Sequence, residues 1–179
     1  MGILQRLSLC YGALAIIHWA TNYGDKAFRY VGALFTLAFI IIYLSFMVTF
    51  ENSECPRDKN LIAYCNFGSY WDRKMFTKAH IFEGGDNDPE GLFTTLSSFV
   101  NGYAGYFFCL VMFDNKNQIK KILTIWTIAS LMCGLIAIPL LEMMPLNKKI
   151  WSMSYTFLTI AISGISLTII TLFFDVIGK

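Results

Sequence analysis

The sequence predicts an all-α fold, a polytopic transmembrane helix bundle of about five spans forming a single membrane-embedded region. Composition is the first sign: 56% of residues are hydrophobic, 16% aromatic and only 15% charged, and the mean hydropathy of +0.55 is too high for a soluble domain of this size. The second is length. The apolar runs are about 18–25 residues long, which at about 1.5 Å per residue crosses a hydrocarbon core of roughly 30 Å. The third is the absence of any alternating barrel pattern, because backbone groups in lipid are satisfied only within a helix or a closed barrel.

The first predicted span, 3–20, carries His18 and Trp19 near its far end, where amphipathic rings anchor at the interface; a proton relay is the alternative for His18. The second covers 30–50. The third, 92–113, places Ser98, Gly102 and Gly105 on one face with Asn101 beside them, and Asn101 calls for a polar partner within the protein. The fourth, 122–141, contains Pro139 near one end, where the helix is expected to kink or stop. In the fifth, 150–174, Ser152, Thr156, Thr159, Ser163 and Ser166 recur at helical spacing, a hydroxyl stripe suited to close packing or, alternatively, to lining a cavity. Asp175 follows at the boundary.

An odd number of spans puts residues 1–6, the long loop 51–91 and the short loop 142–149 on one face. Segments 21–29 and 114–121 and the last residue fall on the other. Basic residues divide almost evenly, so the short loops decide, and DNKNQIKK at 114–121 argues that the second face is cytoplasmic. The long loop is then lumenal or extracytoplasmic. Cys55 and Cys65 lie in it and suit a disulfide in an oxidising compartment, two free thiols being the alternative, while Cys10, Cys109 and Cys133 fall within spans as small hydrophobes.

No metal site is expected, since CxxC is absent and the one imidazole near the loop cysteines is His80. DNDPEG at 86–91 imitates the start of a calcium loop, but its twelfth position is Ser97 and Pro89 interrupts it. Asp88-Pro89-Glu90-Gly91 reads well as a helix start, with Asp88 as N-cap and Pro89 in the first turn. The chain shows no cleavable signal pattern, no acylation motif and no internal repeat. The expected partner is the bilayer; nucleic acid is not expected.

GILQRLSLCY at 2–11, GSYWDRKMFTKAH at 68–80, DPEGLFTTLSSFVNGYAG at 88–105 and NKKIWSMSY at 147–155, each at a membrane boundary, together resemble the heparan-α-glucosaminide N-acetyltransferase family, in its central portion only. The resemblance implies a multi-pass acyltransferase moving acetyl from acetyl-CoA to the terminal glucosamine of heparan sulfate, in the lysosomal membrane if the source is eukaryotic. It implies that Gln5, Arg6 and Lys148 contact acetyl-CoA, whose phosphates favour cationic partners. Asp72, Arg73, Trp71 and Trp151 are implied on the glycan side. Asp72 and Arg73 have the alternative of pairing with each other or capping the loop, and the two tryptophans that of an interfacial belt.

Glu90 is the candidate general base or sugar contact, with helix capping as the alternative. The family's catalytic histidine and a nearby asparagine precede the Gln-Arg motif at which this chain begins, and His80 stands outside that motif. The expectation is therefore a fragment, a portion of such an enzyme that is inactive without the missing segments or a partner chain. The alternative is a truncated, non-catalytic membrane subunit that docks a partner helix bundle.

Overall fold

A computed structural model describes residues 2–21, 25–51, 61–62, 65–76, 81 and 88–177. Helix α1 spans Ile3–Ala20, α2 Asp25–Thr49, α3 Phe67–Phe76, α4 Thr95–Asp114, α5 Ile119–Met143 and α6 Met153–Thr171, which runs on into a π-helical turn, Leu172–Ile177. All but α3 are long and apolar enough to cross a membrane, so the chain is an all-α polytopic bundle and an integral membrane protein. Large apolar side chains, Leu34, Ile41, Leu135 and Ile162 among them, face outward, as lipid-facing helices require.

Boundaries follow local chemistry. At the start of α1 the Gln5 side chain accepts the Gly2 N–H at 2.9 Å, satisfying one of the donors that a helix N-terminus leaves over. Helix α2 starts before the predicted span, at Asp25. Helix α5 does not stop at Pro139 but continues to Met143, where the Met144 N–H still donates to the Leu140 carbonyl at 2.8 Å. A membrane helix tolerates the one backbone bond that proline removes when the ladder resumes beyond it.

The bundle packs about α4. One core joins Tyr43, Val100, Phe108 and Trp126 from α2, α4 and α5, and the Trp126 indole donates to the Phe108 carbonyl at 3.1 Å. A second core joins Cys10 and Ile17 of α1 to Phe28, Phe99 and Leu110. The His18 ring lies 5.2 Å from the Phe28 ring, and its Nδ1 is 3.0 Å from the Tyr106 hydroxyl. Helices α4, α5 and α6 meet at Gly164, where a Cβ would overlap the Ser130 hydroxyl and the Phe108 ring.

The hydroxyl stripe of α6 divides in two. Ser152 and Thr156 are buried and Thr159 half-buried, whereas Ser163 and Ser166 are exposed. Thr159 and Ser163 line an open groove of about 310 Å³ with Asn101 and Gly105 of α4, and the Asn101 side-chain oxygen has no hydrogen-bond partner among the described residues, contrary to expectation. Of the span cysteines, Cys10 is buried and Cys133 half-buried, but Cys109 faces outward and is not packed in the core.

The Gly164 contact makes a direct prediction. Gly164→Ala should destabilise the protein by about 1–3 kcal/mol despite the better helix propensity of alanine, because Phe108 and Ser130 must move apart. Thermal unfolding in detergent reads it, and an unchanged midpoint contradicts the close helix approach.

Candidate functional site

One end of the bundle collects the starts of α1, α4 and α6, the ends of α2 and α5, and the short helix α3. The loop between α5 and α6 is shaped there by its own side chains. Asn147 Oδ1 accepts the Lys149 N–H at 2.9 Å, the Ser154 hydroxyl donates to the Met144 carbonyl at 2.7 Å, and Ser152 accepts the Tyr155 N–H to cap α6. Trp151 closes the loop with φ 49°, a left-handed conformation that a bulky residue adopts only under constraint from its surroundings. Those surroundings are the Ser97 hydroxyl, which donates to the Trp151 carbonyl at 2.8 Å, and the Tyr43 hydroxyl, which donates to the Ile150 carbonyl at 2.8 Å.

Arg6 stands at the centre. One turn into α1 and only 5% exposed, it donates from Nη2 to the Thr94 hydroxyl and lies over the Trp151 ring, 4.8 Å from its centroid. Thr94 passes the connection on by donating to the Gly91 carbonyl at 3.0 Å. Glu90, Asp88 and Asp72 supply negative charge to the guanidinium. This arrangement combines a cation–π contact, a hydrogen bond and charge compensation in a setting where an isolated charge is costly.

Residues 88–94 do not open a helix, as the Asp-Pro-Glu-Gly reading expects. They form turns: Asp88 Oδ1 accepts the Glu90 N–H at 2.9 Å, the Gly91 N–H donates to the Asp88 carbonyl at 3.1 Å, and α4 begins only at Thr95. The reason lies in α3. Asp72, 1% exposed, reaches across and accepts the Leu92 N–H through Oδ1 at 3.0 Å, so that amide is committed outside the helix. Gly91 is required beside it, since a Cβ there would overlap the Asp72 carboxylate. Burial pushes the Asp72 carboxyl up to about 6, against the lowering effect of its bond from Leu92, and the nearby Asp88 adds to the rise.

The predicted site residues therefore divide. Gln5, Arg6, Asp72, Glu90 and Trp151 are brought together, and a cavity of about 450 Å³ lies between the first residues of α1, including Gln5, and Asp88, Pro89 and Glu90. Asp72 caps the turn through the Leu92 N–H. Arg73 is half-buried on α3 and Lys148 is exposed on the α5–α6 loop. Trp71 points to a different, apolar groove with Phe46, Phe67 and Leu96. Cys65 is buried and disulfide-bonded, while Cys55 and His80 lie outside the described residues. Among the described residues no group of side chains could hold a metal ion. Thr94 and Ser97 also shape the geometry, and neither stands out individually from the polar run at the start of α4.

No family model matches the chain. It is 24% identical over 196 aligned residues to the heparan-alpha-glucosaminide N-acetyltransferase of Mus musculus, a match that covers 86% of this chain and 30% of that protein. The chain thus spans less than a third of the relative's length, and its relation to that family is distant and partial.

Removing the central cation should expose its role. Arg6→Gln leaves the carboxylates of Glu90, Asp88 and Asp72 without a buried counter-charge, and the loss of stability should be on the order of 3 kcal/mol at pH 8. The loss should shrink at pH 5, where Asp72 takes up a proton. Unfolding midpoints at both pH values check this; equal losses would show that the cation does not compensate these acids.

Proposed function

We propose that this chain forms part of a membrane-embedded acetyltransferase that moves acetyl from acetyl-CoA to the amino group of a terminal glucosamine on a heparan-sulfate-like glycan. The observation that carries the reading is the convergence of Gln5-Arg6, Asp72, Glu90 and Trp151, from separate stretches of the sequence, on one cavity-bearing end of the bundle. The distant relation to an N-acetyltransferase adds to it.

Acetyl transfer needs an amine nitrogen that attacks the thioester carbonyl. The C–N bond forms, the C–S bond breaks, and one N–H proton passes to a base before reaching the departing sulfur or solvent. Glu90 is the carboxylate that lines the cavity and is only half-buried, so it takes the role of that base. Arg6 acts within the site by holding Thr94 and Trp151, its charge already met by three carboxylates, and Lys148 on the neighbouring loop is an exposed cation placed to meet CoA phosphates. Asp72, Trp71 and Arg73 shape the α3 side, where the acceptor glycan would lie. A lysosomal membrane is the location this reading carries with it.

A second reading, a non-catalytic subunit, is favoured by one feature, the unsatisfied Asn101 oxygen in the groove between α4 and α6. Co-purification of a partner helix bundle in the absence of acetyl-CoA binding would support it.

Membranes containing the protein together with the remaining parts of the enzyme should transfer labelled acetyl from acetyl-CoA to glucosamine. Glu90→Gln should lower the rate by roughly 10²–10⁴-fold while acetyl-CoA still binds. A Glu90→Gln protein with the wild-type rate removes the base from Glu90, and a wild-type protein that neither binds acetyl-CoA nor transfers acetyl overturns the reading.

A further inference from the structure

We propose that Asp72 is a positioning residue whose carboxyl, seated on the Gly91–Leu92 backbone, clamps helix α3 to the turn bearing Glu90 and Thr94, and that the clamp is tighter when the carboxyl is protonated. The inference rests on the reading that this end of the bundle is the functional site, and it assigns that site its pH response.

The geometry is asymmetric. Oδ1 has the Leu92 N–H at 3.0 Å, whereas the buried Oδ2 has no hydrogen-bond partner among the described residues. An ionised carboxylate seeks donors at both oxygens, so a buried Oδ2 with no donor among the described residues in hydrogen-bonding position is a costly place for half a negative charge. Protonation at Oδ2 removes that charge and keeps the Oδ1 bond as a neutral one, weaker than the charge-assisted bond, so the gain lies in the relieved desolvation. Helix α3 also has an apolar hold that does not titrate: the Phe67 ring stacks 4.6 Å from Phe46 and meets Phe93 at 4.7 Å. The carboxyl therefore adjusts how closely α3 seats on the turn and does not decide whether it stays.

The charged neighbours act in opposing senses. From the turn, Asp88 and Glu90 bring like charge, while the Leu92 and Phe93 amides favour the anion; from α1, Arg6 offers the opposite charge, and Arg73 and Lys74 follow on α3 itself. Desolvation outweighs these and holds the carboxyl at about 6, above its ordinary value of 3.8. A carboxyl raised in the folded state binds its proton more tightly there than in the unfolded chain. The resulting stabilisation is complete below about pH 4 and is lost as pH rises through about 6.

The consequence reaches the site through two bonds. Leu92 and Gly91 set the turn, the Gly91 carbonyl receives the Thr94 hydroxyl, and Thr94 receives Arg6. A firmer α3 seat thus orders Glu90 and Arg6 together in mildly acidic surroundings.

Hydrogen exchange on the full chain in lipid nanodiscs tests the clamp without requiring turnover, so its failure and a failure of acetyl transfer are separate results. After correction for intrinsic exchange, amides of α3 and of Leu92 should be about tenfold better protected at pH 5 than at pH 7.5. Asp72→Asn, a neutral isostere, should show high protection at both pH values. Asp72→Ala should show low protection at both. The proposal is overturned if Asp72→Asn behaves like Asp72→Ala, or if wild-type protection is unchanged or rises toward pH 7.5.

Discussion

A guanidinium one turn inside a membrane-crossing helix and buried there, out of reach of water and headgroups, must take its hydrogen bonds and its counter-charge from the protein. Arg6 draws on three different segments, the Thr94 hydroxyl, the Trp151 ring, and the carboxylates of Glu90, Asp88 and Asp72, with its Nε left unpartnered among the described residues. Placing that one side chain therefore fixes the start of α1 against the turn before α4 and the loop before α6. The strained backbone at Trp151 and the irregular turns at 88–94 are tolerated because this network over-determines them.

The opposite end of the bundle is built differently. There Arg29 of α2 pairs with Asp114 of α4 in a half-exposed position, and His18, Phe28 and Tyr106 pack as an aromatic group. A half-exposed pair contributes little on its own. Most of the buried polar atoms without partners among the described residues, the Arg6 Nε, the Asp72 Oδ2, the Trp151 Nε1 and the Thr156 hydroxyl, gather instead toward the Arg6 end. Unmet hydrogen-bonding capacity in a dry setting is costly, and its concentration at one end suits the reception of a polar ligand or a proton. This is the physical ground for proposing function at that end.

The bundle is legible in the sequence because hydrophobic length is a strong and local signal; α1 starts and ends on the predicted residues and the remaining spans shift by only a few positions. Helix α3 has no such signal. Its ten residues are mixed in polarity, and it is held by Phe67 stacking and by Asp72, contacts with residues far away in the chain. The same long-range bond displaces the start of α4 from the Asp-Pro-Glu-Gly motif, whose local chemistry favours a helix. Arg6, Glu90 and Trp151 stand out because a charge or a large ring at a membrane boundary needs an explanation. Thr94 and Ser97, the hydroxyls that join them, look in sequence like ordinary packing residues.

Arg6 and Asp72 are members of one connected unit although they share no direct hydrogen bond. A double-mutant cycle with Arg6→Gln and Asp72→Asn, read by unfolding free energy in detergent at pH 7.5, addresses that connection most directly. The two changes should be non-additive by about 1 kcal/mol or more, the neutral amide introduced by Asp72→Asn relieving part of the loss caused by removing the cation. Additivity within roughly 0.5 kcal/mol would mean that the two residues act independently, and the single network at this end of the bundle would not exist.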